Sequence, residues 1–179
     1  MAKLTSARLW MMRCVYLGFA ACIIFFHLLP LDTVARRWAP PDLLMAMTFA
    51  WALRQPDFVP AFLIAVVMLL ADLLFQRPPG LVAALVVAGV EYLKNRLSGL
   101  SNASFVGEWT AVAIVITGIV AANRLILAIF SVNQAPLVLA LFQVILTIAV
   151  YPIMAGFTHY ILGVRKLVPG DADATGNRL

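Results

Sequence analysis

Residues 69–80, LLADLLFQRPPG, set a carboxylate, Asp72, inside a long apolar run and then break the run with Arg77, two prolines and Gly80. The residue before a proline is driven out of the helical region, so the apolar helix must end near here. A second apolar run begins at once with LVAALVVAGV. Two apolar helices joined by a short turn, one carrying an ionisable group near its end, describe a chain that buries helices among helices.

Working outward, the whole chain has this character. It has 179 residues, 64% of them hydrophobic and 12% charged. The mean hydropathy is +0.99. A small soluble core cannot keep that much apolar surface from water, so the composition indicates an integral membrane protein in contact with a lipid bilayer. The net charge of +5 is then a topology signal before anything else. No basic patch is interleaved with aromatics, which sets nucleic acid aside. Cys14 and Cys22 lie eight residues apart in the first apolar run; on a helix that is about 12 Å of rise, too far for a disulfide. His27 and His159 read as interfacial residues. The first run is too long for a signal peptide and no small-x-small site follows it, so it reads as a retained span.

Charges, prolines and glycines divide the chain into six apolar spans, at about 14–29, 43–53, 58–75, 81–93, 109–130 and 136–162. The fold class expected is all-α, a polytopic membrane helix bundle. Residues 1–13 are a cytoplasmic N-terminus, 14–164 one six-span domain, and 165–179 a polar cytoplasmic tail, expected to be disordered. Spans two and four are short for a crossing of about 20 residues. With both termini inside, nine of the Lys and Arg residues fall on inner segments, against outer Arg36, Arg37 and Arg77, with Arg124 intramembrane. That bias is what the positive-inside rule requires of six crossings.

Ionisable groups within a membrane face protein or water. Asp72 lies 14 residues past Phe58 and Arg124 15 past Trp109, which sets both at about 21–22 Å along parallel spans. The pair Asp72–Arg124 is therefore a candidate intramembrane contact, with Asn123 beside it; neutralisation of Asp72 by Arg77 is the alternative. Glu91 and Lys94, three apart, form a helical neighbour pair. Gln143 reads as an interhelical hydrogen-bond donor. Pro152 should kink span six and free a backbone carbonyl. Small residues recur four apart at Ala46/Ala50, Ala61/Ala65, Ala84/Ala88 and Gly118/Ala122, a spacing that permits close helix packing. No catalytic constellation, metal-ligand spacing or phosphate-cradling loop is present, so the chain reads as non-enzymatic and without a cofactor.

The segment 36–85 resembles the MreD rod shape-determining proteins. The resemblance rests on Pro41-Asp42 opening span two, Trp51 near its end, Pro56 in the following turn, Asp72 late in span three with Gly80 eight residues on, Pro152 in span six, and the basic Arg165 and Lys166. The family often has a glycine four residues before the aspartate; Met68 stands there, which bears on how closely a neighbouring helix approaches. The resemblance implies a non-enzymatic inner-membrane component of the bacterial cell-elongation machinery. It implies MreC as partner, and through it MreB and the elongation peptidoglycan synthases. It also implies a fold similar to the substrate-binding subunits of energy-coupling-factor transporters. The alternative class is a small-solute transporter or substrate-binding membrane subunit, for which the polar groups near Asp72 and Arg124 and the kinked span six would be the working parts.

Overall fold

The computed structural model describes residues 6–29, 39–97 and 105–160. The polar tail 165–179, and with it Arg165 and Lys166, lies outside the described residues, as do Lys3, Arg36 and Arg37. Six helices follow in chain order: α1 Ser6–Leu28, α2 Leu43–Arg54, α3 Ala61–Leu74, α4 Leu81–Leu97, α5 Phe105–Ile129 and α6 Leu137–Tyr160. All the regular structure described is helical. The helices α1, α5 and α6 are long and apolar enough to cross a membrane.

Several ends differ from expectation. Helix α1 starts inside the segment read as a polar N-terminus, so Arg13 is helical; its guanidinium donates to the Asp57 carbonyl at 3.3 Å. Helix α3 starts at Ala61, three residues into the 58–75 run, with Pro60 as its N-cap. Helix α5 begins four residues before Trp109, so Glu108, read as part of a polar loop, is helical and buried.

The shortest helix is the central one. In α2, Leu44 to Ala52 are buried without interruption. A helix apolar on every side is stable only when protein surrounds it. It packs against α6, α4 and α1. Twelve residues make only about 18 Å of helix, and a helix shielded from lipid has no need to match the bilayer. Helix α1 offers it one stripe, Met12, Tyr16, Ala20 and Ile24, spaced four apart as a helix face requires. The Tyr16 ring tilts against Trp51 at 5.6 Å. Thr48 spends its one hydroxyl proton on the Leu44 carbonyl at 2.7 Å, so the Tyr16 hydroxyl, 2.9 Å away, is the donor to Thr48.

Large apolar side chains stand exposed on the outer helices, among them Phe62 at 80%, Ile114 at 72% and Ile153 at 68%. Such a surface exceeds what a soluble monomer presents to water.

Of the small-residue pairs, Ala46 and Ala50 are fully buried, whereas Ala84, Ala88 and Gly118 are exposed. The close approach falls one residue beyond Ala88. A Cβ on Gly89 would sit 2.8 Å from Val115 Cγ1, 3.0 Å from Ile119 Cδ1 and 3.4 Å from the Phe49 ring. Gly89 therefore lets α4 meet α5 and α2 at one point. Gly89→Ala should lower stability by about 1–3 kcal/mol through overpacking. Gly118→Ala, with nothing within 4 Å, should be neutral or slightly stabilising. Thermal unfolding of the two variants in detergent measures the difference.

Candidate functional site

The turn at residues 75–80 explains the opening stretch. Phe75 caps α3, and Gln76 takes the left-handed region at φ 55°. The Gln76 N–H donates to the Leu73 carbonyl at 3.3 Å and the Arg77 N–H to the Asp72 carbonyl at 2.9 Å. These are the two bonds of a Schellman ending. Gly80, at φ 84°, then turns the chain back on itself in a conformation open to glycine. The return sets the first turn of α4 over the end of α3. There the Asp72 carboxylate accepts the Ala83 N–H at 3.1 Å, and the N–H groups of Gly80 and Val82 also act on it. A helix N-terminus has unmet N–H donors and a positive dipole end, and a carboxylate answers both. Asp72 is 1% exposed and acts as a capping residue supplied by the preceding helix.

Asp72 and Arg124 do not pair. The Arg124 guanidinium donates instead to the Ala135 carbonyl at 2.9 Å, and Gln134 Nε2 donates back to the Arg124 carbonyl at 2.9 Å. The equal depth counts from Phe58 and Trp109, whereas the helices start at Ala61 and Phe105, and depth carries no information about azimuth. The nearer cation is Arg77, whose charge acts on Asp72. Its guanidinium lies 3.6 Å from Asp42 Oδ2 and 5.2 Å from the centre of the Phe75 ring, which His27 also contacts at 4.3 Å. Asp42 in turn is the N-cap of α2: Oδ1 accepts the Met45 N–H at 3.0 Å. Its own N–H donates to Thr147 Oγ1 at 2.9 Å, and that hydroxyl donates to the Gln143 carbonyl at 2.7 Å. Asp42, Asp72, Arg77 and Gly80 thus converge at one end of the bundle.

The remaining motif residues lie elsewhere. Trp51 is fully buried in the core and Pro56 is exposed in the α2–α3 turn. Pro152 lies inside α6. Proline has no N–H for the carbonyl four residues back, and that carbonyl, Ile148, accepts Trp109 Nε1–H at 3.0 Å. The freed group expected from the sequence exists, and an indole from α5 satisfies it. Lys94 bonds Glu91 at 3.1 Å as its spacing implies. Gln143, expected to bond across helices, instead lines a cavity with its side chain.

A second polar cluster lies at the opposite end of α2. Tyr151 Oη donates to Glu108 Oε1 at 2.8 Å, and Arg54 lies 3.7 Å from the same oxygen. It joins α2, α5 and α6. Glu108 escaped notice because it closes the polar stretch 94–108; the available signal was that Arg54 and Glu108 each border an apolar run. The cluster holds a charge but offers no nucleophile, and among the described residues no group of three or more His, Cys, Asp or Glu could hold a metal.

The cavity at the Asp42 end measures about 410 Å³ and is walled mainly by α5 and α6. No family model, curated protein or solved structure matches the chain.

Two outcomes test this geometry. Asp72→Leu should cost about 1–3 kcal/mol by leaving the Ala83 N–H unmet, and Asp72→Asn markedly less; exchanging the charges, Asp72→Arg with Arg124→Asp, should restore nothing in expression or melting. Trp109→Phe should also cost about 1–3 kcal/mol, but much less when Pro152→Ala has returned a local N–H to the Ile148 carbonyl. A double-mutant cycle on thermal unfolding reads that coupling.

Proposed function

We propose that this chain is a non-enzymatic, multi-pass inner-membrane component of the bacterial cell-elongation machinery, a relative of the MreD proteins. In this reading all six helices cross the membrane with both termini cytoplasmic, and the fold is of the kind found in energy-coupling-factor substrate-binding subunits. The chain binds MreC and, through it, serves MreB and the peptidoglycan synthases. The observation that carries the reading is where the motif goes. Asp42, Asp72 and Gly80, the residues behind the resemblance, are spent on helix ends. Side chains committed to holding the bundle together suit a scaffold. The short connections leave helix faces such as that of α3, where Phe62, Val66, Leu70 and Leu73 stand exposed, as the surface open to a partner's membrane helix.

Depletion in rod-shaped cells should give rounded cells, and tagged protein extracted in mild detergent should bring down MreC. Normal shape together with no MreC in the pull-down would defeat the proposal. A second reading, a small-solute-binding membrane subunit, draws on the cavity beside Asp42; normal shape with a nutrient requirement would favour it.

A further inference from the structure

The cavity at the Asp42 end has a built-in asymmetry of charge. At about 410 Å³ it falls in the range of small-molecule sites. Most of its wall is apolar, with Ile116, Ile119, Val120, Leu139 and Val144 supplied by α5 and α6. The charged groups that reach it are Arg77, Arg124 and Asp42, with His27 beside them. Two guanidinium groups therefore meet one carboxylate, and Asp42 is already engaged by Arg77 and by the N-terminus of α2. Arg124 gives one N–H to Ala135. A guanidinium has five N–H donors in a planar fork suited to oxyanions, so the rest of the fork is available. The loop contacts from Ala135 and Gln134 hold the side chain in place at the wall.

A second observation is independent of charge. Asn123, next to Arg124 and on the same wall, has a buried Oδ1 with no hydrogen-bond partner. A buried acceptor without a donor is destabilising, and a ligand hydroxyl would relieve it. A third concerns shape. Another cavity of about 350 Å³, walled by Phe19, Ile23, Phe26 and Leu43, borders the same Asp42–Arg77 pair. An apolar chain has a place to lie beside a polar headgroup.

We propose that the two cavities form one binding site for an anionic amphiphile, with a hydroxylated phosphate or carboxylate headgroup against Arg124 and Asn123 and an apolar chain along the apolar walls. The site rests on these residues alone and stands under either function above. Its ligand is an acidic membrane lipid or a soluble molecule of the same chemistry.

The test uses the full chain purified in detergent and titrated, by native mass spectrometry, with phosphatidylglycerol, phosphatidylcholine and glycerol 3-phosphate. One equivalent of phosphatidylglycerol should bind at least about tenfold more tightly than phosphatidylcholine, as one desolvated charge contact allows. Arg124→Gln and Asn123→Leu should each weaken it severalfold, whereas Arg96→Gln, on an exposed side chain at the other end of α4, should not. Glycerol 3-phosphate binding as tightly, with the same sensitivity to the variants, would support the site and identify a soluble ligand as its occupant. Equal binding of the two lipids with no binding of glycerol 3-phosphate, or variants that bind like the parent, would overturn the proposal. Should both variants misfold, headgroup discrimination by the unaltered chain decides the matter.

Discussion

A helix end inside an apolar bundle leaves backbone groups with no water to meet them, and this protein answers several of those ends with a single dedicated side chain. Asp42 meets the start of α2, and Asp72 reaches across a turn to the start of α4. Trp109 meets the carbonyl that Pro152 abandons in α6. Arg124 and Gln134 fasten the α5–α6 loop to the end of α5. In an apolar environment an unmet peptide group costs several kcal/mol, so these few polar side chains govern where helices can stop and how their neighbours sit. The polar residues scattered through an apolar sequence are best understood as answers to particular breaks.

The same constraint explains the position of α2. A helix of 12 residues is shorter than a bilayer core of about 30 Å, so its ends would fall inside the apolar layer and it cannot stand alone against lipid. Surrounded by α1, α4 and α6, it meets only protein, and its two ends are finished by polar groups. At the start are Asp42, Arg77 and Thr147. Near the other end, Arg54 faces Glu108 and Tyr151. Removing one partner from a buried ion pair strands the other, which makes such clusters sensitive positions even where the pair itself adds little stability.

Helix existence was legible in the sequence because apolar runs bounded by proline, glycine and charge have one reading. The starts of α2 and α4 were legible to the residue, since Asp42 and the Pro-Pro-Gly turn punctuate them sharply. The start of α5 was not, because the Phe-Val-Gly-Glu stretch before Trp109 reads equally as the end of a polar loop and as a first helical turn. The Pro152 consequence followed from covalent chemistry alone, although nothing in the sequence pointed to Trp109 as the donor. Asp72 and Arg124 show where a sequence ceases to fix contacts. Rise per residue gives depth, while contact also needs the rotation of each helix and the identity of its neighbours. Helix α3 packs chiefly on α4, and α5 on α4 and α6, so the two residues have different partners.

The two ends of α2 differ in a way that bears on what each can do. Around Arg54 the polar groups face one another: the Arg54 guanidinium and the Tyr151 phenol close on a single Glu108 oxygen, although Arg54 Nε is itself buried without a partner. Around Asp42 the count does not close. The carboxylate is used by its helix and by Arg77, a second guanidinium is left with spare donors, and Asn123 keeps an unmet acceptor in a wall that encloses real volume. A cluster whose charged groups face one another chiefly restrains the bundle. A cluster with surplus donors, a surplus acceptor and space between them can also take up a ligand that completes it, which is the chemistry an anionic amphiphile would supply.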